Sequence, residues 1–364
     1  MQVLANWFRR YFSDPQVIFL SLFLLIGFAI VLTMGDMLAP VLASIVVAYL
    51  LDGVVGFWQS HGWPRLVSVV VVFSIFMLYV ILILFGILPL VSRQVTELVQ
   101  QLPSMIAAGQ NILMQLPERY PEIVSPEQIQ DLIGSIKAEI GAFGQQVLSL
   151  SLSSVVGFLT LVVYLILMPL LVFFFLKDKQ LFISWFESYL PKHRRIASTV
   201  WRDVDRQISN YVRGKFWEIL IVWAVSFATF RAFGLNYAML LSVLVGLSVI
   251  IPYIGAVVVT IPVLLIAWFQ WGWSASFAWL SVAYFVIQAL DGNVLVPLLF
   301  SEVVNLHPVA IIVAILVFGG LWGFWGVFFA IPLATLVQAI LSAWPRPEIE
   351  KPRAARAETA TGAE

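Results

Sequence analysis

An aspartate stands in the middle of an otherwise apolar stretch, in the segment QALDGNVLVPLLF at residues 288–300. Between Arg231 and Arg346 the sequence contains no lysine or arginine, and its only charged side chains are Asp291 and Glu302. Because an ionisable group inside a membrane is costly, it commonly faces a cavity and marks the path of a substrate or an ion. Asp-Gly-Asn is also turn chemistry, so Asp291 could instead cap a helix in water at the membrane surface; the two roles are compatible.

Two helix-breaking segments, one around Pro252 and one around Pro297, could complete a binding site for a small polar solute or a cation. Proline removes a backbone donor, and backbone groups freed by a break in a membrane helix can meet a substrate. The segment IPYIG at 251–255 lies between two apolar runs, and a simple tight turn at the surface is its alternative role. The residues that we predict to bind substrate or ion are Asp291, Asn293, Pro297, Gln288, Pro252, Tyr253 and Gly255.

Three further features around residues 301–326 favour structural or gating roles. The segment SEVVNLHP reads as a solvated loop, in which Glu302 faces water and His307 is a turn residue rather than a proton carrier. Gly319 and Gly323 in GGLWGFWG have the four-residue spacing that permits close helix packing, with a sliding surface as the alternative. Gly320 belongs to the same cluster.

The composition places these residues in a membrane protein. The 364 residues are 61% hydrophobic and only 11% charged, with a mean hydropathy of +0.98, whereas soluble domains are about 25% charged. Several apolar runs exceed the roughly 18 residues of a transmembrane helix candidate. We predict an all-α polytopic membrane protein with about eight transmembrane helices, broken or re-entrant segments in its C-terminal half and an external amphipathic helical region.

Lysine and arginine favour the cytoplasmic side of a membrane, and their distribution predicts the topology. Residues 177–215 carry nine of them, whereas residues 92–148 carry three against six acidic residues. We therefore place 177–215 inside and 92–148 outside, with both termini cytoplasmic. Four crossings lead from a cytoplasmic N-terminus to the basic segment, and they include a tight external turn at Gly35-Asp36 between the first two spans.

The predicted external region contains an amphipathic helix. Ser125-Pro126-Glu127-Gln128 has the composition of a helix start. The apolar seam that follows could lie on its own subunit, on the lipid surface or against another subunit. Its members are Ile129, Ile133, Ile136, Ile140, Phe143 and Val147.

The last apolar run, 308–341, is too long for one span. As a single helix it would extend roughly 51 Å, against a hydrocarbon core about 30 Å thick. Gly319-Gly320 is a plausible break. The predicted segments are three spans (1–91), the external segment (92–148), a fourth span (149–176), a basic cytoplasmic segment (177–215), a transport bundle (216–344) and a disordered cytoplasmic tail (345–364).

No enzyme signature is present. The three histidines lie far apart in sequence and there is no HExxH and no P-loop lysine motif. An intramembrane aspartyl protease needs two aspartates on facing spans, and only Asp291 is available in the second half, from residue 216 onward. The chain has no cysteine and zero net charge, which gives no case for thiolate metal sites or nucleic acid. We predict no enzymatic activity, no cofactor and no metal.

Four segments resemble the autoinducer-2 exporter family of permeases: YVRGKFWE (211–218), IPYIGAVVVTIP (251–262), LDGNVLVPLLF (290–300) and LHPVAIIVAILVFGGLWGFWGVFFAIPLA (306–334). The resemblance covers nearly the whole chain and is most specific over 205–340. It implies a location in the bacterial inner membrane, a homo-oligomer (pentamers occur in the family), and export of a small polar solute such as autoinducer-2, a quorum-sensing signal. Some relatives are reported as sodium/proton antiporters.

The resemblance also carries roles to single residues. By motif position it implies functional roles for Asp291, Asn293, Pro297, Pro252, Tyr253, Gly255, Arg213 and Gly214. Two departures are Lys215, where relatives often have glutamine, and Ala256, where they often have proline. We expect Lys215 to face cytoplasmic water.

Three functional hypotheses follow from the sequence. The first is a permease in which Asp291 and Asn293 bind a polar solute, and the second is a cation/proton antiporter in which Asp291 changes protonation. The third is an oligomeric membrane scaffold without flux. The lipid bilayer, a small polar solute or cation, and further copies of the chain are the expected partners.

Overall fold

A computed structural model describes residues 15–115, 155–189, 195–300 and 306–343, and part of 127–142; every regular element in these ranges is helical, which confirms the predicted all-α class. The elements are α1 Pro15–Ser60, α2 Arg65–Leu82, a first π-helical segment Ile83–Ile87, α3 Leu88–Leu113, α4 Val155–Lys177, α5 Lys179–Tyr189, α6 Arg195–Phe233, α7 Ala238–Ser248, α8 Ile254–Trp271, α9 Ala275–Leu290, a second π-helical segment Asp291–Leu295, α10 Val296–Phe300, α11 Pro308–Phe328 and α12 Ala330–Ala343.

By length and composition alone, six helical stretches in the described ranges could cross a bilayer, and shorter apolar helices accompany them. The last of the six contains Gly323, where the chain reverses. Their outward side chains are largely aliphatic and aromatic, as a lipid-facing surface requires. The six stretches are Met37–Ser60, Arg65–Gln110, Val204–Phe233, Ile254–Trp271, Ala275–Phe300 and Pro308–Phe328.

The structure corrects the predicted turn between the first two apolar runs. Gly35 and Asp36 lie inside α1, which is helical from Pro15 to Ser60 without interruption. Apolar residues flank this pair on both sides, and the helix continues through two residues that commonly end one. The count of crossings that placed the N-terminus inside therefore loses one of its supports.

Contacts divide the chain into two units. The larger comprises Met37–Ile183 and Ser209–Asn305, and its main core is formed by the buried sides of α6, α7, α8 and α9. Side chains of α3 pack against this core, and the Gln94 side-chain oxygen accepts a hydrogen bond from Leu240 N near the start of α7 at 2.8 Å. The smaller unit contains α11 and α12.

Helices α7 and α8 form a hairpin whose tip is the IPYIG segment. At 11 residues, α7 rises only about 16 Å, so it is a broken element of the kind predicted for the C-terminal half. Tyr253 has a φ of +63°, and Gly255 approaches Ser248 O so closely that an added Cβ would overlap it. Glycine at 255 therefore allows the two arms to close.

The last apolar run is also a hairpin, because its two arms reverse at Gly323. This residue has a φ of +57° and a ψ of −132°, a conformation that only glycine adopts readily. Beyond it the chain returns, so that Gly326 lies against Phe318 O and a Cβ on Gly319 would lie 2.8 Å from Val327 Cγ2. The break thus falls three residues after the end of the predicted Gly319-Gly320 pair.

The amphipathic segment after α3 is described in part. Residue 127 and most of 129–142 are helical, and within this segment Ile129 and Ile133 are buried by the same chain, while Glu127 and Asp131 are exposed. Cover from the same chain favours the own-subunit interpretation at these two positions. The predicted start at Ser125-Pro126, the remaining members of the seam and the tail at 345–364 lie outside the described residues.

Candidate functional site

Asp291 begins a π-helical segment between α9 and α10. Val296 N donates to Asp291 O five residues earlier, and Pro297, which has no N–H, follows at once. Single π-helical turns inside α-helices occur frequently at functional sites. The side chain of Asn293 is exposed and donates to Ala289 O at 2.8 Å, so in this structure its amide serves the local backbone.

One carboxylate oxygen of Asp291 has no hydrogen-bond partner in the part of the chain that the structure describes. Oδ1 is buried, and it receives no hydrogen bond from any of the residues that the structure describes. An unpaired buried acceptor is expensive, and such groups are rare in native proteins. The oxygen is therefore the clearest candidate contact for a ligand in this helix.

A buried ion pair on α6 lies within electrostatic range of Asp291. Lys215 Nζ donates to Glu218 Oε2 at 2.8 Å and to Val249 O at 2.6 Å. The two side chains are only 6% and 2% exposed. Lys215, Glu218 and Asp291 are called the inner charge cluster below.

The position of Lys215 contradicts the expectation that it faces cytoplasmic water. The helix that carries it starts at Arg195, twenty residues earlier, so Lys215 is an interior residue of a long helix rather than the end of a polar loop. Its ammonium points toward Val249, which caps α7, and over the Phe300 ring at 5.4 Å.

Two of the segments that carry the family resemblance, 211–218 and 290–300, meet at this point. The Phe300 ring lies 5.9 Å from that of Tyr211, and a Cβ added to Gly214 would lie 2.6 Å from Phe300 Cε1. Glycine at 214 thus lets α10 approach α6, beside the lysine that reaches Val249.

Arg213 points to a different neighbour, α1. A Cβ added to Gly53 would lie 2.6 Å from its guanidinium carbon, so the absent side chain of Gly53 leaves room for this group. Its Nε is buried and has no hydrogen-bond partner among the described residues.

Gln288, one helix turn before Asp291, belongs to a line of three hydrogen-bonded side chains with Tyr284 and Thr260. Its Nε2 donates to Tyr284 Oη at 2.9 Å, and that hydroxyl lies 3.0 Å from Thr260 Oγ1 on α8. Tyr284 is fully buried. The line joins α8 and α9 and ends close to the start of the π-helical segment.

A second group of charges lies at the ends of helices in the same unit. Asp52 Oδ2 accepts from Lys179 Nζ at 2.8 Å, and Asp52 Oδ1 lies 3.7 Å from Arg65 Nη2. Arg65 Nη2 also donates to Leu176 O at 2.7 Å. These side chains are 24–35% exposed, and they are called the helix-end charge cluster below.

The other predicted residues have different surroundings. Tyr253 is 60% exposed at the tip of the first hairpin, and half-buried Pro252 precedes it. His307 begins α11, where its Nδ1 accepts a hydrogen bond from Val309 N at 3.2 Å, as a turn residue would. Gly319, Gly320 and Gly323 lie in the smaller unit, and Glu302 lies outside the described residues.

Glu218, Tyr284 and Thr260 were not among the site residues predicted from the sequence. For Glu218 a signal existed, since Lys215 and Glu218 have the three-residue spacing of neighbours on one helix face. It was hidden because Lys215 was assigned to a polar segment. Tyr284 and Thr260 stand in apolar runs, and only the packing of α8 on α9 pairs them.

The comparison with known proteins decides the family. Residues 18–346 match the AI-2E family of transporters. The chain belongs to this family. It is 45% identical to the protein named "Putative permease PerM" of Escherichia coli K12 over 96% of this chain and 99% of that one. It is also 27% identical to "Putative transport protein YrrI" of Bacillus subtilis, over 83% and 85% of the two chains.

The AI-2E membership confirms the resemblance and defines a broad function. The protein is a multi-pass membrane protein of a family of transporters rather than of enzymes. Within the described ranges, no group of three or more histidine, aspartate or glutamate side chains is arranged to hold a metal ion.

Proposed function

We propose that the protein is a secondary transporter that exports a small polar solute such as autoinducer-2, and that the solute binds at Asp291. The observation that carries the proposal is the buried Oδ1 of Asp291, which has no partner among the described residues. A solute that donates a hydrogen bond to this oxygen would remove the cost of an unpaired acceptor. The π-helical segment and Pro297 mark the same place as a break in an apolar helix.

The charges around Asp291 limit what can bind. Ionised Glu218 and Asp291 with protonated Lys215 leave one negative charge. This balance favours a neutral solute that donates hydrogen bonds, or a single positive charge, over an anion. Gln288 extends the polar surface by one helix turn.

A cation/proton antiporter is the second candidate, and a specific observation favours it. Two carboxylates, Asp291 and Glu218, share one lysine within apolar helices, so that proton uptake by one of them would neutralise the cluster. In this mechanism Asp291 changes its protonation in each cycle. A scaffold without flux is the hypothesis from a different class, and it assigns no role to an unpaired carboxylate.

The cellular setting belongs to the proposal as well. The nine lysines and arginines of 177–215 support a cytoplasmic side for this segment. The relatives are bacterial proteins named as a permease or as transport proteins, which supports a bacterial inner-membrane transporter. A homo-oligomer is proposed on the family resemblance.

The test is flux through purified protein in liposomes. Autoinducer-2, sodium and protons are followed in parallel, with and without an imposed pH gradient, and protein-free liposomes serve as the control. Autoinducer-2 movement that requires the protein supports the proposal. Sodium-driven proton movement without solute flux selects the antiporter, and no flux of any kind selects the scaffold.

A further inference from the structure

The Lys215 ammonium lies among groups that would equally suit a small free cation. Nζ is 2.8 Å from Glu218 Oε2, 2.6 Å from Val249 O and 5.4 Å from the centre of the Phe300 ring. The lysine side chain is 6% exposed, so protein rather than water surrounds most of the charge.

The Val249 carbonyl, one of the groups around the ammonium, comes from the C-terminal end of a short helix. Val249 caps α7, the short helix that ends at the IPYIG turn. The last carbonyls of a helix have no intrahelical partner and carry the negative end of its dipole. In transporters, such half-helix ends and carboxylates coordinate sodium ions, and an aromatic face attracts a cation.

We propose that Lys215 is a tethered cation, whose ammonium fills a binding site for a monovalent alkali cation formed by Glu218 Oε2, Val249 O and the face of Phe300. The covalent tether makes occupancy independent of the sodium or potassium concentration. The end of α7 is thereby neutralised without a free ion. This assignment does not depend on which solute the protein exports.

The neighbouring charged groups determine the net charge of the site once the Lys215 ammonium is removed. Glu218 and Tyr211 face the site from α6, and Asp291 contributes its charge from the second π-helical segment. Arg213 is directed toward Gly53 on α1 instead. Without Lys215, two carboxylates and a helix end would remain, and no other positive charge among the described residues is shown to face them. A free alkali cation would then have both the ligands and the electrostatic attraction to bind.

The experiment measures the thermal unfolding midpoint of purified full-length protein in sodium, potassium or choline chloride at equal ionic strength. Lys215→Ala opens space for an ion, whereas Lys215→Met fills the same space with an uncharged chain. In sodium or potassium, we expect the midpoint of the alanine variant to rise, relative to choline, by about 5 °C at saturating ion. The wild type and the methionine variant should have the same midpoint in the three salts.

A second variant tests the ligand set. Lys215→Ala combined with Glu218→Gln removes the carboxylate and should abolish the cation response of the alanine variant. Equal behaviour of Lys215→Ala in the three salts, including equal failure to yield folded protein, contradicts the proposal. A sodium-specific rise in the wild type contradicts it too. The readout contains no autoinducer-2, so failure of the export proposal leaves this result unaffected.

Discussion

Two charge clusters in the larger unit use the same side-chain chemistry in different surroundings. In the helix-end cluster, Lys179 and Asp52 meet at 2.8 Å with about a quarter to a third of each side chain exposed. In the inner cluster, Lys215 and Glu218 meet at the same distance with 6% and 2% exposed. Water can therefore replace a lost partner in the first cluster far more readily than in the second.

The difference in exposure separates a structural charge cluster from a candidate functional one. Partly exposed ion pairs contribute about 0–1 kcal/mol, whereas removing one partner of a buried pair costs about 3–5 kcal/mol. A buried lysine and two carboxylates are thus an expensive feature that packing alone does not require. We therefore propose a functional role for the inner charge cluster, whereas the helix-end charge cluster joins α1, α2 and α5.

The largest effect on stability should follow from removing Glu218. Glu218→Leu leaves the Lys215 ammonium buried without its carboxylate, and we expect it to lower the free energy of unfolding by about 3–5 kcal/mol. Denaturant unfolding in detergent measures the loss. The matched control is Glu218→Leu with Lys215→Met, which should recover most of the stability because no charge is left alone. A double variant as unstable as the single one would show that the pair's charges are not the cause.

A smaller loss should follow from crowding the aromatic ring beside the ammonium. Gly214→Val places methyl groups where the Phe300 ring lies, and overpacking of this kind costs about 1–3 kcal/mol. Gly56→Val is the control, because nothing lies within 4 Å of the Cβ that would be added there. Equal unfolding of the two variants in denaturant would argue against close contact between α6 and α10.

The helix-end cluster should tolerate the corresponding change. Asp52→Asn keeps the shape of the side chain and removes one charge, and we expect a loss below about 1 kcal/mol that shrinks further at high salt. Unfolding at low and high sodium chloride measures both values. A loss as large as that of Glu218→Leu would remove the contrast between the clusters.

The smallest perturbation tests on which side of the membrane the two polar segments lie. The native chain has no cysteine, so single cysteines can be placed at Gln128 and Ser198 with little expected change in stability. An impermeant thiol reagent added to intact cells should label the first and not the second. The opposite pattern would place the basic segment, and with it Lys179 of the helix-end cluster, outside.

Asp291 could be proposed as a candidate site residue from the sequence, because an aspartate isolated among apolar residues needs no structure to be noticed. The all-helical class and the breaks in the C-terminal half follow from composition, from run lengths and from the positions of proline and glycine. The Lys215–Glu218 pair could not be recognised without knowing that α6 extends back to Arg195. From sequence alone, a lysine next to a basic segment is expected to be solvated. Its burial becomes evident only when the structure shows that one helix runs through both.

Glycine positions show a similar limit. Gly319, Gly320 and Gly323 could each have formed the break, and local propensity does not choose among them. Packing of Gly326 on Phe318 O fixes the reversal at Gly323. At Gly35-Asp36 the opposite occurs, since a dipeptide typical of turns remains inside a helix.

We propose that the carboxylate of Asp291 contacts the transported species, and Asp291→Asn is the variant that tests this contact. Asparagine keeps the size and the capacity to cap a turn, and it removes only the charge and the titratable proton. The measurement is initial flux per reconstituted protein chain, at matched protein in the bilayer, from pH 6 to 8. We expect normal insertion with flux lost across this range, whereas a wild-type rate throughout would contradict a ligand contact and leave Asp291 as a turn residue.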